Sequence, residues 1–140
     1  MDWKTKLADF IDSRLNITFK WGKSDCCLFA ADVWKEICGI DIAEWFRGRY
    51  KSKKKAYELL SEFNDGGLSK TMTKLARQYK LKLIKPAFAQ NGDLCLIKTD
   101  LGDALAIFFN GKIIAQGPKS LVMLPKLVVK KVWRHKKIGE

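Results

Sequence analysis

Hydrophobic residues in the first eighty positions recur at the spacing of α-helices. Between residues 2 and 15 apolar side chains return every three or four positions, with charged residues between them, which predicts an amphipathic helix. Two more helices are predicted over residues 52–63 and 68–79, separated by Asn64-Asp65-Gly66-Gly67, whose glycines favour a helix stop. The first half of the chain, about residues 1–80, is therefore predicted to be helical.

The segment from Cys26 to Cys38 differs from these helices because it is apolar on nearly every side. Ser24 or Asp25 can cap its start by accepting a backbone hydrogen bond, and Gly39 can end it. A helix with so few polar positions belongs in the centre of a fold. The sequence therefore predicts a buried central helix that begins at Cys26.

From Asp93 onward the pattern changes to that of β-strands, with Asn110-Gly111 as a tight-turn signal. Strands are predicted over residues 93–98, 104–109, 112–116 and 127–133. Helices followed by antiparallel strands indicate an α+β fold. We expect one domain over residues 1–140, with a helical half at about 1–80, a strand half at about 93–133 and a loosely held basic tail at 134–140.

The chain is strongly basic, with 27 Lys and Arg against 15 Asp and Glu and a net charge of +12. Such a charge favours anionic partners, among them nucleic acid, lipid head groups and acidic proteins, but it is equally typical of a solvated basic surface. One basic run lies near two tyrosines and is a candidate polyanion-binding site: Arg47, Arg49, Lys51, Lys53, Lys54 and Lys55. No zinc finger or glycine-rich phosphate loop accompanies it, and a solvated loop and helix face explains it as well.

Neither a membrane span nor a secretory leader is predicted, since apolar runs stay well below roughly 20 residues and the start lacks a charged-then-apolar layout. Synthesis in the cytoplasm without a signal peptide is therefore expected. The four cysteines lack metal-type spacing and the single histidine, His135, is distant from them in sequence. We expect reduced thiols, no metal site and no cofactor.

Cys26 is a candidate nucleophile because the free N–H groups and positive dipole end of a helix start favour a thiolate. Cysteine catalysis also needs a base within hydrogen-bond reach. The structural alternative is that Cys26 is a small apolar core residue, which is what most free cysteines are. Asp25, beside it, is better explained as a helix cap than as a catalytic acid.

Three segments in order resemble NlpC-type cell-wall peptidases, which are papain-like. Phe19-Lys20-Trp21-Gly22-Lys23-Ser24-Asp25-Cys26-Cys27-Leu28-Phe29 is similar to their nucleophile segment. Gly92-Asp93-Leu94-Cys95-Leu96-Ile97 is similar to their first strand, and residues 104–114 are similar to the next hairpin. The resemblance, over about residues 19–117, implies a papain-like fold in which the cysteine-headed helix packs on a C-terminal antiparallel sheet.

The chain departs from that family at the catalytic base. By resemblance the histidine position falls on Ala104, or on Asp103 if the register slips by one, and the third polar residue falls near Ala115 or Gln116, a weak candidate. His135 could act as the base chemically, and its basic neighbours would lower its pKa. Because it follows the last predicted strand, we interpret it as a surface residue.

The chain is still more similar to a group of small phage-encoded proteins. The shared features are the Trp-Gly…Asp-Cys-Cys-Leu-Phe-Ala-Ala-Asp start, the Arg-Gly-Arg-Tyr element at residues 47–50 and an Ala-Leu-Gly-like strand in place of the histidine strand. This resemblance implies incorporation into a virion, in contact with other virion or tail proteins.

The leading hypothesis is a non-catalytic structural or assembly protein on a degenerate NlpC-type fold. Alternatives are an active cysteine hydrolase (peptidoglycan endopeptidase or amidase) that uses Cys26, and a basic module that contacts cell wall or nucleic acid.

Overall fold

A helical half followed by a six-stranded sheet makes up the fold, as seen in a computed structural model that describes residues 2–64 and 66–139. The helices are α1 (Trp3–Arg14), α2 (Cys26–Cys38), α3 (Lys53–Phe63), α4 (Gly67–Gln78) and the short α5 (Lys136–Gly139). The strands are β1 (Lys82–Ile84), β2 (Leu94–Thr99), β3 (Gly102–Phe109), β4 (Lys112–Gln116), β5 (Leu121–Leu124) and β6 (Val129–Arg134). Short 3-10 turns cover Pro86–Phe88 and Lys126–Val128. The predicted α+β class is confirmed.

The strands pair in the order β1-β6-β2-β3-β4-β5, and every neighbouring pair is antiparallel. Side chains alternate between the two faces of the sheet. Leu94 and Leu96 of β2 belong to the main core with the helices, whereas Cys95 and Ile97 belong to a smaller cluster on the other face. The helices therefore cover one face only.

Helix α2 is the centre of the main core, as its apolar pattern predicts. Ala30, Val33 and Trp34 have no exposed surface. The Trp34 indole Nε1–H donates to the Gly92 carbonyl oxygen at 2.8 Å, which satisfies the one polar group of that side chain. Gly39, with φ 76°, ends the helix in the left-handed conformation that glycine favours.

Two strands were not predicted from sequence, and both are the edges of the sheet. β1 has three residues and β5 has four. Strands this short carry too few positions for an alternating pattern to stand out, and they form because β6 and β4 offer them hydrogen-bond partners.

The prediction of a loosely held basic tail is wrong for residues 134–139. Ile138 is 4% exposed and joins the main core, and His135 is 7% exposed. The Arg134 guanidinium donates to both carboxylate oxygens of Asp93, at 2.7 Å each, and Asp93 has no exposed surface. The positive charge of Arg134, predicted to lie in a solvated tail, is instead neutralised by a buried carboxylate.

Within residues 2–64 and 66–139, no helix combines the length and hydropathy that crossing a bilayer requires.

We predict that Arg134→Ala lowers the free energy of unfolding by about 3 kcal/mol, because it leaves the buried Asp93 carboxylate without its cation. Lys130→Ala is the control, since Lys130 bonds the half-buried Asp103 from the surface and should cost less than about 1 kcal/mol. Urea denaturation followed by tryptophan fluorescence measures both. Equal decreases in the free energy of unfolding for the two variants would contradict a larger contribution from the buried Arg134–Asp93 pair.

Candidate functional site: the cavity beside Cys26

The start of α2 is held by Asp25, whose side chain is buried with three hydrogen-bond donors around it. Its Oδ1 accepts from the Leu28 N–H at 2.9 Å, which caps the helix. Its Oδ2 accepts from the Gly22 N–H at 3.0 Å and from the Tyr50 hydroxyl at 2.5 Å. Asp25 thus connects the segment before α2, the helix itself and the segment before α3.

The backbone conformation at Gly22 explains why a glycine follows Trp21 in the sequence. Its φ is 77°, and a Cβ at this position would overlap the carbonyl oxygen of Tyr50. Only glycine combines this conformation with so close an approach. The glycine therefore allows the Tyr50 segment to lie against the start of α2 and to reach Asp25.

Burial raises the pKa of Tyr50, and the neighbouring Asp25 carboxylate raises it further. The phenol therefore remains protonated and acts as a donor.

The thiols of Cys26 and Cys27 form a pair, with their sulfur atoms 3.9 Å apart. The pKa of Cys26 is lowered, chiefly by the hydrogen bond with Cys27 and also by the Leu105 backbone N–H, although burial opposes the shift. The pKa of Cys27 is raised well above its ordinary value by the same hydrogen bond and by burial. The arrangement favours one thiolate, on Cys26, with Cys27 as its protonated donor.

Beside this pair lies a cavity of about 100 Å³ between α2, α3, α4 and β3. Its walls are almost wholly apolar, and no lysine or arginine of residues 2–64 and 66–139 lines it. The lining residues are Trp21, Asp25, Cys26, Cys27, Leu28, Ile42, Ala43, Phe46, Tyr50, Ala56, Tyr57, Leu60, Leu68, Thr71, Met72, Leu75, Asp103 and Leu105.

Of the two positions suggested for the missing base, only Asp103 lines this cavity. Asp103 and Leu105 project from one face of β3, while Ala104 packs against the smaller cluster on the opposite face. The Asp103 carboxylate is bonded to Lys130 Nζ, at 3.0 Å from each oxygen. Ala104 therefore does not mark the point on the sheet that faces the sulfur.

Gln116, the candidate third residue, bonds elsewhere. Its Nε2 donates to the carbonyl oxygens of Ile17 at 2.8 Å and Gly117 at 2.9 Å. It ties the end of β4 to the segment after α1, and it does not line the cavity. Ala115 packs in the smaller cluster.

His135 is buried rather than on the surface, which corrects the interpretation from sequence. Its ring lies edge-on to Trp34, with centroids 6.3 Å apart, and its Nδ1 accepts from the Lys137 N–H at 3.1 Å. Burial lowers its pKa, and Lys137 and Lys136 lower it further. Trp34 lies eight residues after Cys26, about 12 Å along the helix. The single histidine of the chain therefore lies against the other end of α2.

The basic run from Arg47 to Lys55 divides into two arginines that bind neighbouring side chains and four exposed lysines. Arg47 is bonded to Asp32 and Asp41 at 2.6 Å each, and Arg49 stacks on the Trp45 ring at 3.9 Å. Lys55 lies 3.8 Å from Glu58. The exposed lysines of the run are Lys51, Lys53, Lys54 and Lys55. The two arginines thus hold the loop before α3 in place.

Two site residues were missed in the sequence: Tyr50 as the partner of Asp25, and Thr71. Thr71 is 1% exposed, and its hydroxyl has no hydrogen-bond partner among the described residues. Tyr50 is 25 positions from Asp25, and Thr71 is a small residue within an amphipathic helix. No local pattern signals either role.

Among the described residues, no cluster of three or more His, Cys, Asp or Glu side chains is placed to hold a metal ion.

The fold and the site define an α+β domain whose central helix begins with a thiol pair beside an apolar cavity. The chain belongs to the family described as a domain of unknown function, DUF6950, which matches residues 1–135. No curated protein matches the sequence. The family match includes every residue that lines the cavity.

We predict that Cys26 alkylates with an apparent pKa below the ordinary value of a cysteine, and that Cys27→Ala raises this pKa by removing the donor. Cys27→Ser keeps a donor and should raise it less. Iodoacetamide labelling resolved by mass spectrometry across pH measures the change. Cys38 and Cys95 serve as internal references, since burial raises the pKa of each to about 12. An unchanged Cys26 profile in Cys27→Ala would refute the thiol pair.

A second prediction concerns the buried cap. Tyr50→Phe should lower the free energy of unfolding by about 2 kcal/mol, because it removes a hydrogen bond to a buried carboxylate. Tyr79→Phe is the matched control: the Tyr79 hydroxyl bonds the neutral Asp41 carbonyl at 3.2 Å, and its loss should cost about 1 kcal/mol or less. Thermal or chemical denaturation compares the two, and a larger loss for Tyr79→Phe would reject the cap as the stronger interaction.

Proposed function

We propose that this chain is a non-catalytic structural or assembly protein built on a degenerate papain-like, NlpC-type fold. The observation that carries the proposal is a half-buried thiol at the start of a central helix, with the only histidine of the chain at the other end of that helix. The order of a cysteine-headed helix followed by an antiparallel sheet supports the papain-like part.

Hydrolysis of an amide by a thiolate needs a group that protonates the departing amine. Three carboxyl or thiol groups lie beside the Cys26 sulfur or line its cavity, and each is already engaged. Asp25 accepts three hydrogen bonds, Asp103 pairs with Lys130, and Cys27 has a strongly raised pKa. The site therefore has a nucleophile without a matched acid and base.

The charge of the cavity gives independent support. Peptidoglycan stem peptides carry carboxylate groups, and an enzyme that binds them is expected to offer cations. The cavity beside Cys26 is lined by Asp25 and Asp103 but by no lysine or arginine. The one cation beside these carboxylates, Lys130, is already bound to Asp103, so the cavity offers no free cation for an anionic peptide among the described residues.

The virion part of the proposal rests on the similarity of the Trp-Gly…Asp-Cys-Cys start and the Arg-Gly-Arg-Tyr element to small phage-encoded proteins. On this proposal the chain is made in the host cytoplasm and incorporated into the particle through contacts with tail proteins. The Arg-Gly-Arg-Tyr element has a structural role here, since Tyr50 bonds Asp25 and Arg47 bonds Asp32 and Asp41.

One observation favours a second candidate, an active cysteine hydrolase. The pKa of Cys26 is lowered, chiefly by the hydrogen bond with Cys27 and also by the Leu105 backbone N–H. In this alternative Asp103 or a water molecule takes the proton. The polyanion-binding alternative has less support, because Arg47 is bonded to Asp32 and Asp41 and Arg49 stacks on the Trp45 ring.

We predict that the purified protein does not cleave peptidoglycan stem peptides, and that Cys26→Ser changes neither this result nor incorporation into particles. Peptide turnover is followed by liquid chromatography, and incorporation by mass spectrometry of purified virions that carry the wild-type or variant chain. Cleavage by the wild type that Cys26→Ser abolishes would establish the hydrolase instead. Absence of the chain from particles would remove the virion assignment.

A further inference from the structure

Two short turns lie on the face of the sheet opposite the helices. They are the 3-10 turns Pro86–Phe88 and Lys126–Val128. Ala89 and Val128 pack against the smaller hydrophobic cluster of that face. Phe88 and Leu127, the residues directly before them, are 66% and 85% exposed. Each turn thus packs one side chain inward and presents the large apolar side chain before it to solvent.

Hydrogen bonds fix the two turns and link them to each other. The Phe88 N–H donates to the Lys85 carbonyl oxygen at 2.8 Å, and the Phe88 carbonyl oxygen accepts from Arg134 Nη2 at 3.2 Å. Lys126 Nζ donates across to the Ala87 carbonyl oxygen at 3.4 Å. A proline at or before the start of each turn restricts the backbone further. The exposed side chains are therefore carried on an ordered backbone, and binding through them costs little further ordering.

The charge beside these apolar side chains is positive. Lys85 and Lys126 are exposed, and neither forms a salt bridge with a residue of 2–64 or 66–139. Every charged residue from position 104 to position 139, a range that includes the second turn, is basic. Asp93, which follows the first turn, is bound by Arg134. A partner of this surface therefore needs negative charge next to apolar groups.

A lipid bilayer with anionic head groups fits these features better than a nucleic acid or an acidic protein. Leu127 is aliphatic and cannot stack on a base, which is how proteins use apolar side chains on single-stranded nucleic acid. Protein interfaces bury their apolar anchors in pockets of the partner and are depleted in lysine. In a bilayer, protruding side chains enter the head-group region while lysine ammonium groups stay among the phosphates, so no matching pocket is needed.

We propose that the surface formed by Phe88 and Leu127, with Lys85 and Lys126 beside them, binds the anionic head-group region of a lipid bilayer. The chain then lies on the bilayer surface, with its helices on the side away from the lipid. The inference goes beyond the structural role proposed above and does not depend on it, since the purified chain can bind lipid whether or not it enters a particle.

Co-sedimentation of the full chain with lipid vesicles tests the proposal. One set of vesicles is phosphatidylcholine alone, and the other contains about one-third phosphatidylglycerol, which is anionic. The chain should bind the mixed vesicles roughly tenfold or more tightly, because each lysine near an anionic surface contributes about fivefold. Added salt should reduce this difference by screening the lysines.

Phe88→Ser and Leu127→Ser each remove an apolar group and should weaken binding to the mixed vesicles by about five- to tenfold. Leu83→Ser is the matched control and should leave binding unchanged. Leu83 is 64% exposed, but it pairs with Trp133 of the main core and so lies on the helix side of the sheet. All three side chains are exposed, and circular dichroism checks that each variant keeps the fold.

The lysine contribution has its own matched pair. Lys85→Gln should weaken binding to the mixed vesicles about fivefold. Lys54→Gln removes an exposed lysine of α3, on the helix side, and should change binding little.

Weaker vesicle binding by Phe88→Ser and Leu127→Ser, with Leu83→Ser unchanged, supports the site. Three outcomes overturn it: no binding to the mixed vesicles, equal binding to both kinds of vesicle, or binding that depends on Lys85 but not on the two apolar residues. Retention on immobilised single-stranded DNA or polyglutamate that the two serine substitutions abolish, without vesicle binding, would also overturn it and assign the surface to another anionic partner.

Discussion

The hydrogen bonds to the buried Asp25 carboxylate determine the arrangement of the site. Donors from Gly22, Leu28 and Tyr50 converge on this one side chain. A buried carboxylate is costly without such donors, so the segment before α2, the helix start and the segment before α3 are held together. This contact places the Cys26 thiol at the start of a fixed helix. It also brings Tyr50 into the wall of the cavity, next to the region that α3 and α4 cover.

The two groups that cysteine hydrolysis would combine lie against opposite ends of α2. Cys26 begins the helix beside Cys27 and Leu105, whereas His135 packs on Trp34, two turns further along. The sheet does not bring them together, because β6 lies beyond β2 and places the C-terminal turn against the far end of the helix. The lowered pKa of Cys26 thus arises from a neighbouring thiol and a backbone N–H, without an imidazole.

Features that depend on local chemistry could be predicted from the sequence. The apolar run from Cys26 to Cys38, with a carboxylate before it and Gly39 after it, specifies a buried helix because cap, helix and stop all lie within a few residues. The Asn110-Gly111 turn is similarly local: both residues have positive φ and join β3 to β4. The order of helices before strands was enough to predict the α+β class.

Features that depend on distant partners were decided by the tertiary structure. Whether Asp103 or Ala104 faces the thiol depends on strand register, and a shift by one residue exchanges the two faces. The edge strands β1 and β5 exist because longer neighbours pair with them, and the C-terminal turn is ordered because Asp93, 41 positions earlier, binds Arg134. Local periodicity thus determined the central helix and its thiol. Contacts between residues far apart in the chain determined what surrounds that thiol, because partners so distant leave no pattern in the sequence near either residue.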